Sequence, residues 1–202
     1  MNGARALGDA HTLFDVGDAL GPGRWWPGDE DELVTLSREL SQLPTEDVPA
    51  RILTCAYCFS LAWLVAAGDR PAAEDTMRRC RDVAERSRDP RALRFAIENE
   101  ILFATLDGDF SRVQAACERL RALGGETGSP IAAAFTIARS CAPAWYYLGR
   151  ARDAVQAYDE LREQWSSNRP QELLRRQLYA VHADPSKQNV EALRAEIGRA
   201  HV

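Results

Sequence analysis

Apolar residues along this chain recur three and four positions apart, and glycine or proline residues interrupt the pattern at intervals. Such spacing places apolar side chains on one face of an α-helix. No stretch alternates between apolar and polar residues for long enough to favour a strand. The sequence therefore predicts an all-α fold, with helices over residues 7–20, 30–43, 48–67, 72–87, 91–106, 110–123, 131–148, 151–165 and 171–182.

The turns between these helices repeat. Gly68, Gly108 and Gly149 stand 40 and 41 residues apart. Unrelated helices would rarely share the nine apolar positions that follow these glycines, so the pattern predicts helix pairs that repeat about every 40 residues. The positions lie five, nine and twelve residues after each glycine and are occupied by Ala73, Val113, Ala154, Met77, Cys117, Tyr158, Cys80, Leu120 and Leu161.

Pairs of this kind bury their apolar faces only by stacking on neighbouring pairs, as in an α-solenoid. We predict a right-handed α-solenoid over residues 47–195, preceded by a degenerate helix pair at 1–46. Trp63 and Trp145 fall within apolar helix patterns and are predicted to lie in the core. Trp25 and Trp26 flank a proline turn and are predicted to cap the end of the array.

Composition and charge argue against several classes of function. The chain has 202 residues, of which 46% are hydrophobic and 27% are charged, as in ordinary folded proteins. Acidic and basic residues are interleaved and the net charge is −5, which argues against a nucleic-acid-binding surface. The longest apolar stretch, 55–67, is too short to span a membrane, and the N-terminus has no signal-peptide pattern. We therefore predict a cytoplasmic location.

The residue types that most often act in catalysis or bind metal ions are scattered along the sequence. Cys55 and Cys58 form a CxxC pair, but they lie inside an apolar helix and have no second pair for zinc, so we predict that they pack between helices. His11 and His182 have no clustered ligand partner. The chain also has no Ser/His/Asp set and no glycine-rich phosphate loop. We predict no catalytic activity, no cofactor and no metal. The odd count of five cysteines favours a reducing compartment.

Several short motifs resemble the helical-repeat region of large bacterial ATP-dependent regulators, in which an ATPase module precedes tetratricopeptide-like repeats. Those proteins end in a LuxR-type DNA-binding helix-turn-helix or carry an adenylate/guanylate cyclase domain at the front. The motifs are Leu7-Gly8-Asp9, Thr12-Leu13, Trp26-Pro27, Leu33 with Leu36-Ser37-Arg38-Glu39, Ala66-Ala67-Gly68-Asp69, Leu106-Asp107-Gly108-Asp109-Phe110, and Leu148-Gly149-Arg150 followed by Ala154.

The resemblance implies that this chain is the middle of a longer regulator. No Walker-type loop, helix-turn-helix or cyclase signature lies in the sequence, so the family's ATPase and DNA-binding activities fall on no residue here. Residues 196–202 coincide with the translation of a common sequencing adapter, and we interpret them as an assembly artefact outside the fold.

In tetratricopeptide-like repeats the first helix of each pair lines a concave groove. Counting from the turn glycines places four candidate binding residues there, and Glu98 and Arg139 occupy equivalent positions that could pair across the groove. The alternative is an ordinary ion pair between exposed side chains. The four candidates are Glu98, Thr105, Arg139 and Tyr146.

The function expected from this reasoning is a non-catalytic scaffold for protein–protein interaction or ligand sensing within a bacterial ATP-dependent signalling or transcriptional regulator. Its partner would be a protein or the attached regulatory domains, with a small ligand in the groove as an alternative. A stand-alone tetratricopeptide-like adaptor is the second reading, and a small α-helical enzyme is the third.

Overall fold

The computed structural model of the protein describes residues 9–20, 30–164 and 170–200. All regular secondary structure in these ranges is helical, which confirms the all-α prediction. The helices are α1 (Ala10–Leu20), α2 (Glu30–Leu40), α3 (Ala50–Ala66), α4 (Arg70–Ser87), α5 (Pro90–Leu106), α6 (Phe110–Glu126), α7 (Pro130–Thr136), a π-helical turn (Ile137–Cys141), α8 (Ala142–Tyr147), α9 (Ala151–Gln164), α10 (Pro170–Ala183) and α11 (Lys187–Ala200).

The chain forms two compact units, Met1–Asn99 and Glu100–Val202. The boundary falls inside α5, so residues 90–99 of that helix belong to the first unit and residues 100–106 to the second. The boundaries predicted at 46/47 and 195/196 stay predictions. Helix α11 continues through residues 196–200, which carry the adapter-like sequence.

The core of the first unit joins α1, α2, α3 and α4. Phe14 and Tyr57 meet edge to face with ring centroids 5.8 Å apart, an arrangement that aromatic pairs prefer. The helices approach closely at Gly17, where an added Cβ would lie 2.9 Å from Leu40 Cδ1. The surrounding apolar cluster consists of Leu13, Phe14, Leu36, Leu40, Val48, Ile52, Leu53, Ala56, Tyr57, Cys80 and Val83. A second cluster joins Leu33, Phe59 and Trp63, and it confirms the predicted burial of Trp63.

The second unit buries the faces of α6 to α9. Tyr158 and Leu161 are buried on α9, as the repeat pattern predicts, and Trp145 is buried on α8. Small side chains dominate the contact surface and allow the helices to pack closely. The other buried residues on these helices include Val113, Ala116, Cys117, Leu120, Ala133, Ile137, Ala138, Cys141, Ala142, Ala154 and Ala157.

The predicted turn glycines end their helices in the left-handed conformation. At Gly149 φ is +70°, the Gly149 N–H donates to the Tyr146 carbonyl at 3.0 Å, and the Arg150 N–H donates to the Trp145 carbonyl at 2.8 Å. These two bonds form a Schellman cap, which satisfies carbonyls at the helix end. The same pair of bonds recurs at Gly68, Gly108 and Gly128.

The helix predicted over residues 110–123 extends three residues further in the structure. Helix α6 continues to Glu126, and the turn falls at Gly128. Gly124 is buried in the helix because α7 passes close to it: an added Cβ would lie 2.6 Å from the Cβ of Ala133. The glycine therefore serves helix packing rather than chain flexibility.

The single helix predicted over 131–148 is interrupted by the π-helical turn Ile137–Cys141. Pro143 explains the interruption, because proline has no N–H to donate to the carbonyl four residues earlier and its ring clashes with that group. A π-turn, with its longer hydrogen-bond spacing, lets the helical path continue past such a residue. Helix α8 then starts immediately at Ala142.

Candidate functional site

Helix α8 ends in a run of aromatic residues that divides between core and surface. Trp145 is 4% exposed, and its indole N–H donates to Gln114 Oε1 on α6 at 3.4 Å. The next two residues turn outward, since each helical residue rotates by about 100°. Tyr146 is 39% exposed and Tyr147 is 69% exposed. The buried tryptophan thus anchors a helix end that presents two tyrosines to solvent.

Rings from other helices of the second unit surround these tyrosines. Tyr147 stacks on Phe110, the first residue of α6, with ring centroids 6.2 Å apart. Tyr146 meets His182 on α10 edge to face at 4.7 Å and lies 6.3 Å from Tyr179. We call the set Phe110, Tyr146, Tyr147, Tyr179 and His182 the aromatic surface.

The aromatic surface rests on the core through Tyr179. This ring stacks on the buried Tyr158 of α9 with centroids 6.1 Å apart. An ion pair also holds α10 to α9, because Arg176 donates to both carboxylate oxygens of Asp159 at 2.7 and 2.9 Å. A two-point guanidinium–carboxylate contact fixes orientation as well as distance. This contact therefore fixes the orientation on α9 of the helix that carries Tyr179 and His182.

Burial affects the pKa of two tyrosine hydroxyl groups, those of Tyr158 and Tyr179. It raises the pKa of both Tyr158 and Tyr179, against a smaller opposing effect of the Arg175 guanidinium. Both hydroxyls stay protonated at neutral pH. These phenols are therefore suited to packing and hydrogen bonding rather than to acting as bases.

The structure brings one of the four predicted groove residues, Tyr146, into this surface. Thr105 instead donates its hydroxyl to the Ile101 carbonyl at 2.8 Å within α5. Arg139 lies in the π-helical turn, with its guanidinium carbon 5.3 Å from the centroid of the Phe135 ring.

Glu98, the fourth candidate, is buried in the first unit, with its carboxylate 3.7 Å from Arg94. Arg139 belongs to the second unit. The pairing of Glu98 with Arg139 stays a prediction.

Sequence reasoning missed four members of the aromatic surface. Tyr179 and His182 are three residues apart, a spacing that places both on one helix face. Tyr147 directly follows the predicted Tyr146. These local signals were visible, but the contact of Tyr146 with a helix more than thirty residues away depends on the packing of α8 against α10.

The remaining predicted residues lie elsewhere. Cys55 is buried and Cys58 is partly exposed, both inside α3. Trp25 and Trp26 are outside the described residues. In the described ranges, no three His, Cys, Asp or Glu side chains come together as a metal-binding group. No helix in the same ranges has the length and apolar character needed to cross a bilayer.

No family model, curated protein or solved structure matches the chain.

Proposed function

We propose that this chain is a helical-repeat scaffold that binds a protein partner through the aromatic surface. Its helix spacing supports the repeat. The first helices of successive pairs begin at Ala50, Pro90, Pro130 and Pro170, and each start is 40 residues after the last. The partner helices begin at Arg70, Phe110, Ala151 and Lys187. In a right-handed solenoid each such pair would be one stacking unit.

The exposure of Tyr147 is the observation that carries the interaction proposal. A tyrosine left 69% exposed beside a second exposed tyrosine gives up the gain from burying its ring. Tyrosine is also among the residues that most often dominate protein–protein interfaces, because its ring gives a large contact area with few rotamers to fix. The stacked Phe110 further restricts the Tyr147 ring, which lowers the entropy cost of docking.

The resemblance to bacterial ATP-dependent regulators supports a wider role. In a bacterial ATP-dependent regulator, the scaffold would bind its partner and bias the attached signalling or transcriptional domains. A stand-alone adaptor would use the same surface without those domains. Sequencing the gene beyond both ends distinguishes the two: an in-frame Walker motif upstream supports the regulator, and flanking stop codons support the adaptor.

Selection from a random peptide library against the full chain tests the interaction. Enriched peptides should bind the wild-type protein and lose about tenfold in affinity to Tyr147→Ala, the loss expected for a modest hot spot. Ile131→Ala is a matched control, because it truncates another exposed apolar residue, on α7 and outside the aromatic surface.

Tyr147→Ala should remain folded by circular dichroism, since the truncated ring is mostly solvent-exposed. A selection without enrichment, or peptides that bind Tyr147→Ala and wild type equally, would rule out the aromatic surface as the binding site.

A further inference from the structure

A cavity of about 240 Å³ lies in the second unit between α6, α7 and α9, and it is open to solvent, with the side chain of Arg121 exposed. None of its lining residues belongs to the aromatic surface. Its walls combine one basic and one acidic side chain with an apolar face. The residues that matter for its chemistry are Arg121, Glu160, Ala133, Ala134, Ile137 and Ala157.

The cavity exists because the apolar wall is built mainly of alanines. Ala133 and Ala134 on α7 and Ala157 on α9 leave room that larger aliphatic side chains would partly occupy. Gly124 brings α6 and α7 together at Ala133, so the helices are close at one point and leave a space beside it. Fully packed helix contacts leave few spaces larger than a water molecule.

The two charges at the cavity have no ionic partner in the described part of the chain. Arg121 forms no hydrogen bond or ion pair there. Glu160 accepts one hydrogen bond, from the neutral Gln156 amide at 2.9 Å, and it has no cationic partner among the described residues. A guanidinium and a carboxylate thus line one small space, and each can take up a group of opposite charge from a ligand.

We propose that this cavity binds an aliphatic α-amino acid. The ligand carboxylate would face Arg121, its ammonium group would face Glu160, and its side chain would lie on the wall of Ala133, Ala134, Ile137 and Ala157. A volume of about 240 Å³ lies below the roughly 300–1,000 Å³ of pockets for drug-sized ligands, so it suits a small molecule such as leucine. A simple anion would be repelled by Glu160 and a simple cation by Arg121. The site is independent of the proposed partner surface.

Isothermal titration calorimetry of the full chain with L-leucine tests the proposal. Three probes each remove one recognition element: 4-methylpentanoate lacks the ammonium group, isopentylamine lacks the carboxylate, and glycine lacks the side chain. We expect leucine to bind and each probe to bind at least about tenfold more weakly. An absence of binding at about 10 mM leucine, or equal binding of any one probe, would overturn the proposal.

Variants then locate the binding. Arg121→Gln and Glu160→Gln should each weaken leucine binding about tenfold, and Ala134→Leu should abolish it by filling the space. Arg152→Gln and Glu163→Gln are matched controls that neutralise exposed charges of α9 outside the cavity lining. Ala134→Ser keeps the space and should retain binding.

Thermal unfolding separates loss of the site from loss of the fold, because a bound ligand raises the melting temperature only where the site is intact. Folded Ala134→Leu that still binds leucine would place the amino acid elsewhere and reject the cavity. An unchanged affinity in both charge variants would do the same.

Discussion

Gly124 shows how one absent methyl group sets the distance between two helices. Its neighbour Gly125 has the same local conformation but no atom within 4 Å of an added Cβ. Substitution by alanine should therefore have opposite effects on stability at these two adjacent positions.

We expect Gly124→Ala to lower the free energy of unfolding by about 1–3 kcal/mol, because its Cβ would overlap the Cβ of Ala133 at 2.6 Å. Gly125→Ala should instead raise it by about 0.5–1 kcal/mol, since alanine is the better helix former at an open position. Urea unfolding of both variants measures the contrast. Equal effects of the two substitutions would contradict the close approach of α6 and α7.

The cysteine thiols should differ in reactivity. Cys58 is partly exposed, whereas Cys80 is fully buried and its burial raises the pKa of the thiol to about 12. Because the thiolate is the reactive form, iodoacetamide at pH 8 should modify Cys58 in the native protein and reach Cys80 only in urea. Peptide mass spectrometry identifies the modified residue. Native-state labelling of Cys80 at the rate of Cys58 would show that the α3–α4 contact opens readily.

At the scale of helices, a carboxylate on α5 connects to two arginines on α6. Glu100 accepts a hydrogen bond from Arg112 at 3.1 Å and another from Arg119. Partial burial raises the pKa of Glu100, but the hydrogen bonds and charges of the two guanidinium groups outweigh it and hold the pKa below its ordinary value. A group whose pKa is lowered by folding stabilises the folded state only while it is ionised.

Glu100→Gln should therefore cost about 0.5–1 kcal/mol at pH 7, the upper part of the range for exposed ion pairs, because two arginines contact one carboxylate. The difference from wild type should shrink as the pH falls below the ordinary glutamate pKa and vanish once Glu100 is protonated in the folded protein. Urea midpoints measured between pH 7 and acid give this profile. Glu118→Gln removes an exposed carboxylate of α6 as a control, and a pH-independent cost for Glu100→Gln would argue against the ionic contribution.

At the scale of the whole chain, some features of this all-helical structure could be predicted from the sequence and others could not. Turns at Gly68, Gly108 and Gly149 were predictable because a Schellman cap depends on residues adjacent in sequence. The helical role of Gly124 was not, because it depends on Ala133 in the next helix. Tyr146 was predicted from its position relative to Gly149, but its contact with His182 depends on where α10 lies relative to α8.

The proposed solenoid arrangement predicts that a core mutation lowers stability only locally. The stability of a solenoid is a sum of terms from neighbouring helix pairs and does not depend on one shared core. Leu161→Ala should cost about 2–5 kcal/mol in the second unit, where Leu161 is buried. Hydrogen exchange should accelerate for amides of α9 and its neighbours and change much less in α1 to α3. Uniform acceleration across the chain would indicate a single cooperative fold, and Leu178→Ala, an exposed truncation, should leave exchange nearly unchanged.

The π-helical turn at Ile137–Cys141 sets the rotation of helix α8 about its own axis. It holds one residue more than an α-helical turn, and one residue corresponds to about 100° of rotation. Deleting a single residue there would swing the end of α8 by that angle and change which of Trp145, Tyr146 and Tyr147 faces the core. A single-codon deletion at this turn would therefore change the aromatic surface without altering any residue that forms it.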